Sequence, residues 1–188
     1  MVAATLRPET MYGQTNLWIN PDVMYSLVEV GDGTTTETWV MSKPAAEKLA
    51  YQKPSVKVIG ELSGRGFLGQ YAMAPGIERK LMIIPASFCD PNVGSGIVTC
   101  VPSDAPYDWM ALSDLQNNPA EIAKYNLRAD EVRLIKQIPI IKTKGYGPLP
   151  AVEICQKMGI KTQKDSEKLE EATKEIYKAG FHTGVMTD

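Results

Sequence analysis

Histidine and cysteine are scarce in this chain of 188 residues. His182 is the single histidine, and the three cysteines, Cys89, Cys100 and Cys155, form no C-x-x-C pair. This spacing does not match a zinc site, so we expect no metal and no other cofactor. A serine or cysteine nucleophile would need a histidine base, and His182 lies in the terminal segment. We therefore do not expect a catalytic triad.

An excess of positive charge is also missing, since 20 basic residues face 22 acidic ones and the net charge is −2. Broad binding of duplex RNA normally requires many neutralised phosphates, so a nucleic-acid partner should be a short end held by few charges. The sequence has no apolar run of about 18 residues and no charged-then-apolar leader, which predicts no membrane partner and no export. The few cysteines suit a reducing compartment, so we expect a cytoplasmic protein.

Strand patterns dominate the first two thirds of the sequence, and helical patterns dominate the last third. A turn signal at residues 31–33 between two β-rich runs predicts a hairpin. Ser42, followed by a proline two residues later, predicts a helix start. Residues 134–141 are predicted to form a strand that a proline interrupts. Without repeats, low-complexity stretches or linkers, residues 1–188 are expected to form one compact domain of mixed α and β structure.

The first motif, TLRPET at residues 5–10, places two hydroxyls and a guanidinium around a proline. Pro8 disfavours the α region for Arg7, so the backbone is extended or turned there and Thr5 and Arg7 share one face. A turn after the proline would bring Thr10 back toward Thr5. Such a group suits an ester and a phosphate. The alternative interpretation is a strand end with Thr10 as a helix cap.

The second motif, VGSGIVTCVPSDAPYD at residues 93–108, is a glycine-flanked turn, a short apolar strand and a proline-broken loop. A helix is predicted to follow over residues 105–115, with Ser103 or Asp104 as its cap. Asp108 falls in the first turn, where the helix dipole favours an acid on structural grounds alone. The functional interpretation is an ionised carboxylate at a pocket rim that pairs with a substrate ammonium.

Together the two motifs resemble the editing domain inserted in class I aminoacyl-tRNA synthetases for branched aliphatic amino acids. TLRPETMYGQTN with VPSDAPYD is similar to the archaeal and eukaryotic cytosolic leucyl type. The valyl and isoleucyl types usually continue the second motif with a histidine-containing apolar loop, which residues 101–104 lack. The resemblance implies an α/β (α+β) fold with a β-barrel-like core and peripheral helices. It also implies one editing domain excised from a longer synthetase.

The resemblance implies roles for particular residues. Thr5 matches a threonine that lies against the scissile ester and helps to position water, and Asp108 matches the acid that binds the α-ammonium group. Arg7 resembles the residue that holds the terminal phosphates and sugar, and Thr10 resembles the gate that excludes leucine. Leu6 stands in the substrate site where bacterial members often carry threonine. The remaining residues of the implied substrate pocket are Val101, Pro102, Ser103 and Asp104.

The implied activity is post-transfer editing, the hydrolysis of the ester between a wrong amino acid and the terminal adenosine of tRNA-Leu. Norvaline, isoleucine and methionine are the implied wrong amino acids. A pocket rejects a missing or shifted methyl by only roughly 1–3 kcal/mol, so a second, hydrolytic site must complete the discrimination. The implied partners are the tRNA acceptor end, the remaining synthetase domains and an inhibitory adenosine–boron adduct.

Two alternatives outside this interpretation stay open. The chain would have the same motifs if it were a free-standing deacylase that acts in trans. It would also have them if it were a non-catalytic module that binds an RNA end. Exposed aromatic side chains would favour the module, because they stack on unpaired bases. Trp18, Trp39 and Trp109 occupy positions that indicate a core instead.

Overall fold

The structure, a computed structural model, describes residues 1–5 and 7–187. These residues form two compact units, and each unit is assembled from three separate segments of the chain. The first unit comprises residues 1–5, 17–73 and 80–99, and the second comprises residues 7–16, 74–79 and 100–187. Strands dominate the first unit and helices the second, which confirms the mixed α and β class. No helix in the described part of the chain is long and apolar enough to cross a membrane.

The first unit is built mainly of strands arranged in two sheets. The elements are β1 (Asn16–Ile19), β2 (Met24–Gly31), β3 (Thr36–Ser42), α1 (Lys43–Leu49), β4 (Ser55–Ser63), a 3-10 helix (Gly64–Phe67), β5 (Tyr71–Met73), β6 (Lys80–Pro85) and β7 (Ile97–Cys100). One sheet has the strand order β5-β6-β1-β7, and the other has the order β3-β2-β4. The last residue of β7 and the first residue of β1 belong to the second unit.

The predicted hairpin is confirmed as the pair β2 and β3, which run antiparallel with Val28 opposite Trp39. Asp32 closes its turn, because its Oδ1 accepts hydrogen bonds of 2.8 Å from the backbone N–H groups of Thr34 and Thr35. The predicted helix start is also confirmed, since the Ser42 hydroxyl accepts a hydrogen bond from the Ala45 N–H at the start of α1. The turn at Asp32 thus helps to set the register of β2 against β3.

The second unit is mainly helical. Its elements are a 3-10 helix (Pro8–Gly13), α2 (Pro106–Gln116), α3 (Pro119–Lys124), α4 (Ala129–Leu134), β8 (Ile141–Lys142), α5 (Pro150–Lys157), α6 (Ser166–Thr183) and β9 (Val185–Met186). A core of buried side chains joins α2, α5 and α6, with Met110, Ile154, Leu169 and Ile176 among its members. This core fixes α6 beside the start of α2.

Two local predictions are wrong. The strand predicted over residues 134–141 is limited to β8, and Leu134 instead ends α4. Two acids in the first turn of α4 favour a helix there through the helix dipole, as does an ion pair between Arg128 and Glu131 of 2.5 Å. The side-chain cap predicted for α2 is absent, because Ala105 occupies the cap position.

Candidate functional site

The first motif folds as a tight turn around Arg7. The Arg7 backbone has φ −127° and ψ 75°, outside the α region as its following proline requires, and Pro8 opens the 3-10 helix. The carbonyl oxygen of Arg7 accepts two hydrogen bonds from Thr10, at 3.0 Å from its N–H and at 2.6 Å from its hydroxyl. Thr10 is buried inside this helix and does not cap it. Because its hydroxyl is bonded to the backbone, the position of its methyl group is fixed as well.

The second motif lies directly against the end of this turn. The Thr15 N–H donates a hydrogen bond of 3.0 Å to the Cys100 carbonyl. Gly13 packs so closely that a Cβ there would lie 2.9 Å from Ile140 Cδ1 and 3.1 Å from Val101 Cγ1. Any larger residue at position 13 would push these two segments apart. The segment that follows the first motif, at Gly13 and Thr15, therefore contacts Cys100 and Val101 of the second motif within the second unit.

The loop between β7 and α2 is held by a buried carboxylate. The Val101 N–H donates a hydrogen bond of 2.8 Å to Oδ2 of Asp108, which is only 6% exposed. The N–H groups of Asp104 and Ala105 both donate to the Val101 carbonyl, at 3.1 and 3.0 Å. Asp108 therefore lies in the first turn of α2, as predicted, with its carboxylate oriented by the backbone of the loop.

Asp104 is the second buried acid of the loop, with 3% of its surface exposed. The Ser103 hydroxyl donates a hydrogen bond to its carboxylate, which explains why neither residue caps α2. Burial raises the pKa of Asp104, and the nearby charge of Glu9 acts in the same direction. The hydrogen bond from Ser103 and the charge of Arg7 oppose this rise and lower the pKa. Asp104 thus lies within electrostatic reach of the first motif.

Arg7 is held by contacts on two sides. Its Nε lies 2.8 Å from Glu9 Oε1, and its Cζ lies 4.8 Å from the centre of the Tyr177 ring. A Cβ added to Gly180, one turn further along α6, would lie 3.5 Å from Arg7 Nη2. The side chain keeps 20% of its surface exposed. A cation over an aromatic face gains about 0.5–1 kcal/mol at exposed sites and more when water is excluded.

Tyr177 is the site residue that sequence reasoning missed. Burial and the negative charge of Asp108 raise its pKa to about 12, with a further contribution from Asp104, while Arg7 opposes the rise. The phenol therefore shares the electrostatic environment of the two buried acids and the arginine. The charged run at residues 164–178 is typical of a solvated helix face, so its pattern does not predict a site residue. An aromatic residue within that charged run was the available signal.

The predicted site residues divide between the two units. Thr5 is exposed and belongs to the first unit. Leu6 lies outside the described residues. The others belong to the second unit, and they are Arg7, Thr10, Val101, Pro102, Ser103, Asp104 and Asp108. Val101, Pro102 and Ser103 are buried, and the Ser103 carbonyl accepts a hydrogen bond of 3.0 Å from the Ala151 N–H in α5. No cluster of three or more metal-ligating side chains occurs among residues 1–5 and 7–187.

Comparison with known proteins gives a consistent set of relatives. No family model matches the chain. The leucine–tRNA ligase of Pyrococcus abyssi is 48% identical over 184 residues, which is 98% of this chain and 19% of the relative. The leucine–tRNA ligase of Methanothrix thermoacetophila is 44% identical over 185 residues. The chain therefore spans about a fifth of the length of these curated relatives.

Solved structures agree with these relatives. The crystal structure of GlLeuRS-CP1 matches with a TM-score of 0.86 and 34% identity, covering 98% of this chain and 70% of that one. The editing domain of the cytosolic leucyl-tRNA synthetase of P. falciparum matches with a TM-score of 0.88 and 27% identity. That match covers 99% of this chain and 68% of the other.

Proposed function

The chain belongs to the family of leucyl-tRNA synthetase editing domains, and on this premise we propose that it hydrolyses mischarged tRNA-Leu. Its substrate is the ester between a wrong amino acid, such as norvaline, isoleucine or methionine, and the terminal adenosine. Residues 1–188 act as one editing domain within a longer cytoplasmic synthetase, whose remaining domains are its partners. The ligand is the acceptor end of the tRNA.

The convergence of two buried acids with Arg7 in the second unit carries this proposal. A buried carboxylate costs free energy unless it is paired and hydrogen-bonded. The backbone of Val101 supplies one hydrogen bond to Asp108, and the α-ammonium of an aminoacyl group would supply an opposite charge. Arg7 supplies the cation that the phosphates of the nucleotide require. The site thus offers a carboxylate and a guanidinium cation to a ligand that carries both charges.

The reaction proceeds by direct attack of water on the ester carbonyl. A bond forms between the water oxygen and the carbonyl carbon, and the bond from that carbon to the ribose oxygen breaks. The water proton passes to the ribose oxygen that leaves. Thr5 is proposed to help to orient the water, and Asp108 holds the amino acid, so positioning supplies most of the acceleration. The Val101 N–H already donates to Asp108, so oxyanion stabilisation falls to other donors.

Selectivity against leucine is assigned to Thr10. Its side chain is buried and its hydroxyl is bonded to the Arg7 carbonyl, so its methyl group occupies a fixed place in the site. Leu6, Val101, Pro102, Ser103 and Asp104 are proposed to line the substrate pocket, with Asp104 in a supporting role. An inhibitor that joins boron to the ribose of the terminal adenosine would occupy the same pocket.

Substitution of Asp108 tests the proposal. In the full-length synthetase that carries this chain, Asp108→Ala should slow deacylation of norvalyl-tRNA-Leu on the order of a hundredfold or more, because it removes the partner of a buried charge. Charging with leucine should stay unchanged. Asp108→Asn is the matched variant, since it keeps an acceptor for the Val101 N–H and removes only the charge.

The two variants separate a structural role from a role in binding the ammonium. If Asp108→Asn hydrolyses norvalyl-tRNA-Leu as fast as the unsubstituted protein, the charge of Asp108 does not bind the substrate. If the unsubstituted protein gives no hydrolysis above the rate without enzyme, the chain is a binding module and the proposal fails.

A further inference from the structure

The C-terminal half of α6 carries a stripe of aromatic and basic side chains. Lys174, Tyr177, Lys178 and Phe181 occupy positions i, i+3, i+4 and i+7, which places them along one face of the helix. Lys174, Lys178 and Phe181 are exposed, whereas Tyr177 is mostly covered and keeps 38% of its surface exposed. The core side of α6 is formed by Leu169, Ala172 and Ile176. We call Lys174, Tyr177, Lys178 and Phe181 the α6 stripe.

Phe181 is the most unusual member of the α6 stripe because 84% of its surface is exposed. Its ring makes an edge contact with His182, with 5.3 Å between the ring centres and 84° between the planes. A single exposed apolar residue needs no explanation by itself. The alternation of two aromatic rings with two lysines is more informative, because stacking surfaces beside cations are typical of sites for single-stranded nucleic acid.

The α6 stripe meets the candidate site at Tyr177. The Arg7 guanidinium lies over the Tyr177 ring, and the negative charges of Asp108 and Asp104 help to raise the pKa of the Tyr177 phenol. Phe181 lies one turn further along α6, a rise of about 6 Å. That distance is close to two stacking intervals of about 3.4 Å along one strand. A strand whose last nucleotide occupies the site would therefore place its preceding bases along the stripe.

We propose that the α6 stripe binds the unpaired nucleotides that precede the terminal adenosine, with Phe181 as the stacking surface for one base. Lys174 and Lys178 neutralise the phosphates of these nucleotides. The identity of the ligand rests on the proposed function, whereas the stacking itself does not depend on hydrolysis. The competing occupant is another part of the longer protein, which the tests below distinguish.

Binding of RNA tests the stacking directly. The probe is a minihelix RNA with an unpaired CCA end, and its twin lacks the base that precedes the terminal adenosine. Phe181→Ala should weaken binding of the intact RNA roughly tenfold, within the range expected for one stacked base. The same substitution should leave binding of the twin unchanged. Phe181→Trp should keep the affinity for the intact RNA, because it keeps an aromatic surface.

Tyr51→Ala is the matched control, since Tyr51 is 93% exposed and lies in the first unit. It should not alter binding of either RNA. Equal affinity of Phe181→Ala and the unsubstituted protein for the intact RNA would overturn the proposal. An equal loss on both RNAs would overturn it too, since such a loss does not come from the missing base. An unfolding measurement on each variant verifies that Phe181→Ala remains folded.

Hydrolysis gives an independent measure in the full-length protein. Phe181→Ala should raise KM for norvalyl-tRNA-Leu and leave kcat unchanged, because Phe181 does not touch the ester. A fall in kcat with unchanged KM contradicts the stacking role. If the unsubstituted protein does not hydrolyse the ester at all, the proposed function fails, and the comparison of the two RNAs still decides the role of Phe181.

Discussion

The two units of the molecule bury different kinds of polar side chain. In the first unit the described residues with buried polar side chains are serines, namely Ser26, Ser42 and Ser95. In the second unit two buried carboxylates, Asp104 and Asp108, accompany several uncharged groups. Local structure explains two of the serines. Ser42 caps α1 and donates to the Pro91 carbonyl at 2.6 Å, and Ser95 donates to the Ile97 carbonyl at 3.2 Å.

Asp108 and Asp104 also accept local hydrogen bonds, from the Val101 N–H and the Ser103 hydroxyl, but these bonds do not require a charged acceptor. An apolar or amide side chain would fill their places without the cost of removing a charge from water, which amounts to several kcal/mol per ion. A buried acid with a raised pKa, such as Asp104, is a candidate for function on this ground. The first unit uses its buried serines for its fold, whereas under the proposed function the second unit keeps its buried carboxylates for a ligand.

The largest difference between the two units is expected from substitution of Thr10 in the second unit. This substitution should alter substrate specificity more than the free energy of unfolding. Thr10→Ala removes the methyl group and should raise hydrolysis of correctly charged Leu-tRNA-Leu roughly 10- to 200-fold. The Arg7 carbonyl keeps its bond of 3.0 Å from the residue 10 N–H, so the loss of stability should be small. Rates of deacylation in the full-length protein and a denaturant titration measure the two effects.

Two further variants at position 10 separate the methyl from the hydroxyl. Thr10→Ser keeps the bond to Arg7 and removes the methyl, so it should behave like Thr10→Ala. Thr10→Val keeps the bulk and removes the hydroxyl, so it should still spare Leu-tRNA-Leu. If Thr10→Val loses selectivity and Thr10→Ser keeps it, the hydroxyl and not the bulk is the gate.

The opposite result is expected at Ser42 in the first unit. Ser42→Ala removes the cap of α1 and the bond to the Pro91 carbonyl, so the free energy of unfolding should fall by about 1–2 kcal/mol. Deacylation per folded molecule should stay the same. Ser63→Ala is a milder control, because the Ser63 hydroxyl accepts one bond of 3.3 Å, from the Arg65 N–H. A loss of deacylation with intact folding in Ser42→Ala would break the division between the two units.

Local sequence rules predicted the parts of the site that depend on neighbours in the chain. The proline after Arg7 sets its backbone, and the position of Asp108 after a proline-broken loop places it in the first turn of α2. The turn at Asp32 follows from the same kind of rule. In each case a short stretch of sequence contains both the cause and its structural effect.

Tertiary contacts made the rest of the site unpredictable. Tyr177 reaches Arg7 only because the core of α2, α5 and α6 sets the position of α6, and no local pattern encodes that packing. The error over residues 134–141 has a related cause, since a short segment rich in isoleucine is compatible with either a strand or the end of a helix. The prediction that Ser103 caps α2 is wrong because its hydroxyl donates to the neighbouring carboxylate of Asp104 instead.

The smallest effect is a difference in pH dependence between one acid of each unit. Burial raises the pKa of Asp104, so the folded state binds its proton more tightly than the unfolded state, whose pKa is near 3.8. The stabilising contribution of this group is complete below that pH and is lost as the pH rises through the folded pKa. The free energy of unfolding of the unsubstituted protein should therefore fall relative to Asp104→Asn as the pH increases from about 3 toward neutrality.

Asp32 in the first unit should show the opposite slope. Hydrogen bonds from the N–H groups of Thr35 and Thr34 lower its pKa, so its contribution is present above the unfolded pKa and is lost as the pH falls. Relative to Asp32→Asn, the unsubstituted protein should gain stability as the pH rises. Denaturant titrations of the three proteins across the acidic range measure both differences, and all other carboxylates cancel in each comparison. Two slopes of the same sign would show that the fold itself stabilises Asp104 as an anion, so that its charge needs no ligand, and the division between the units would then have to be withdrawn.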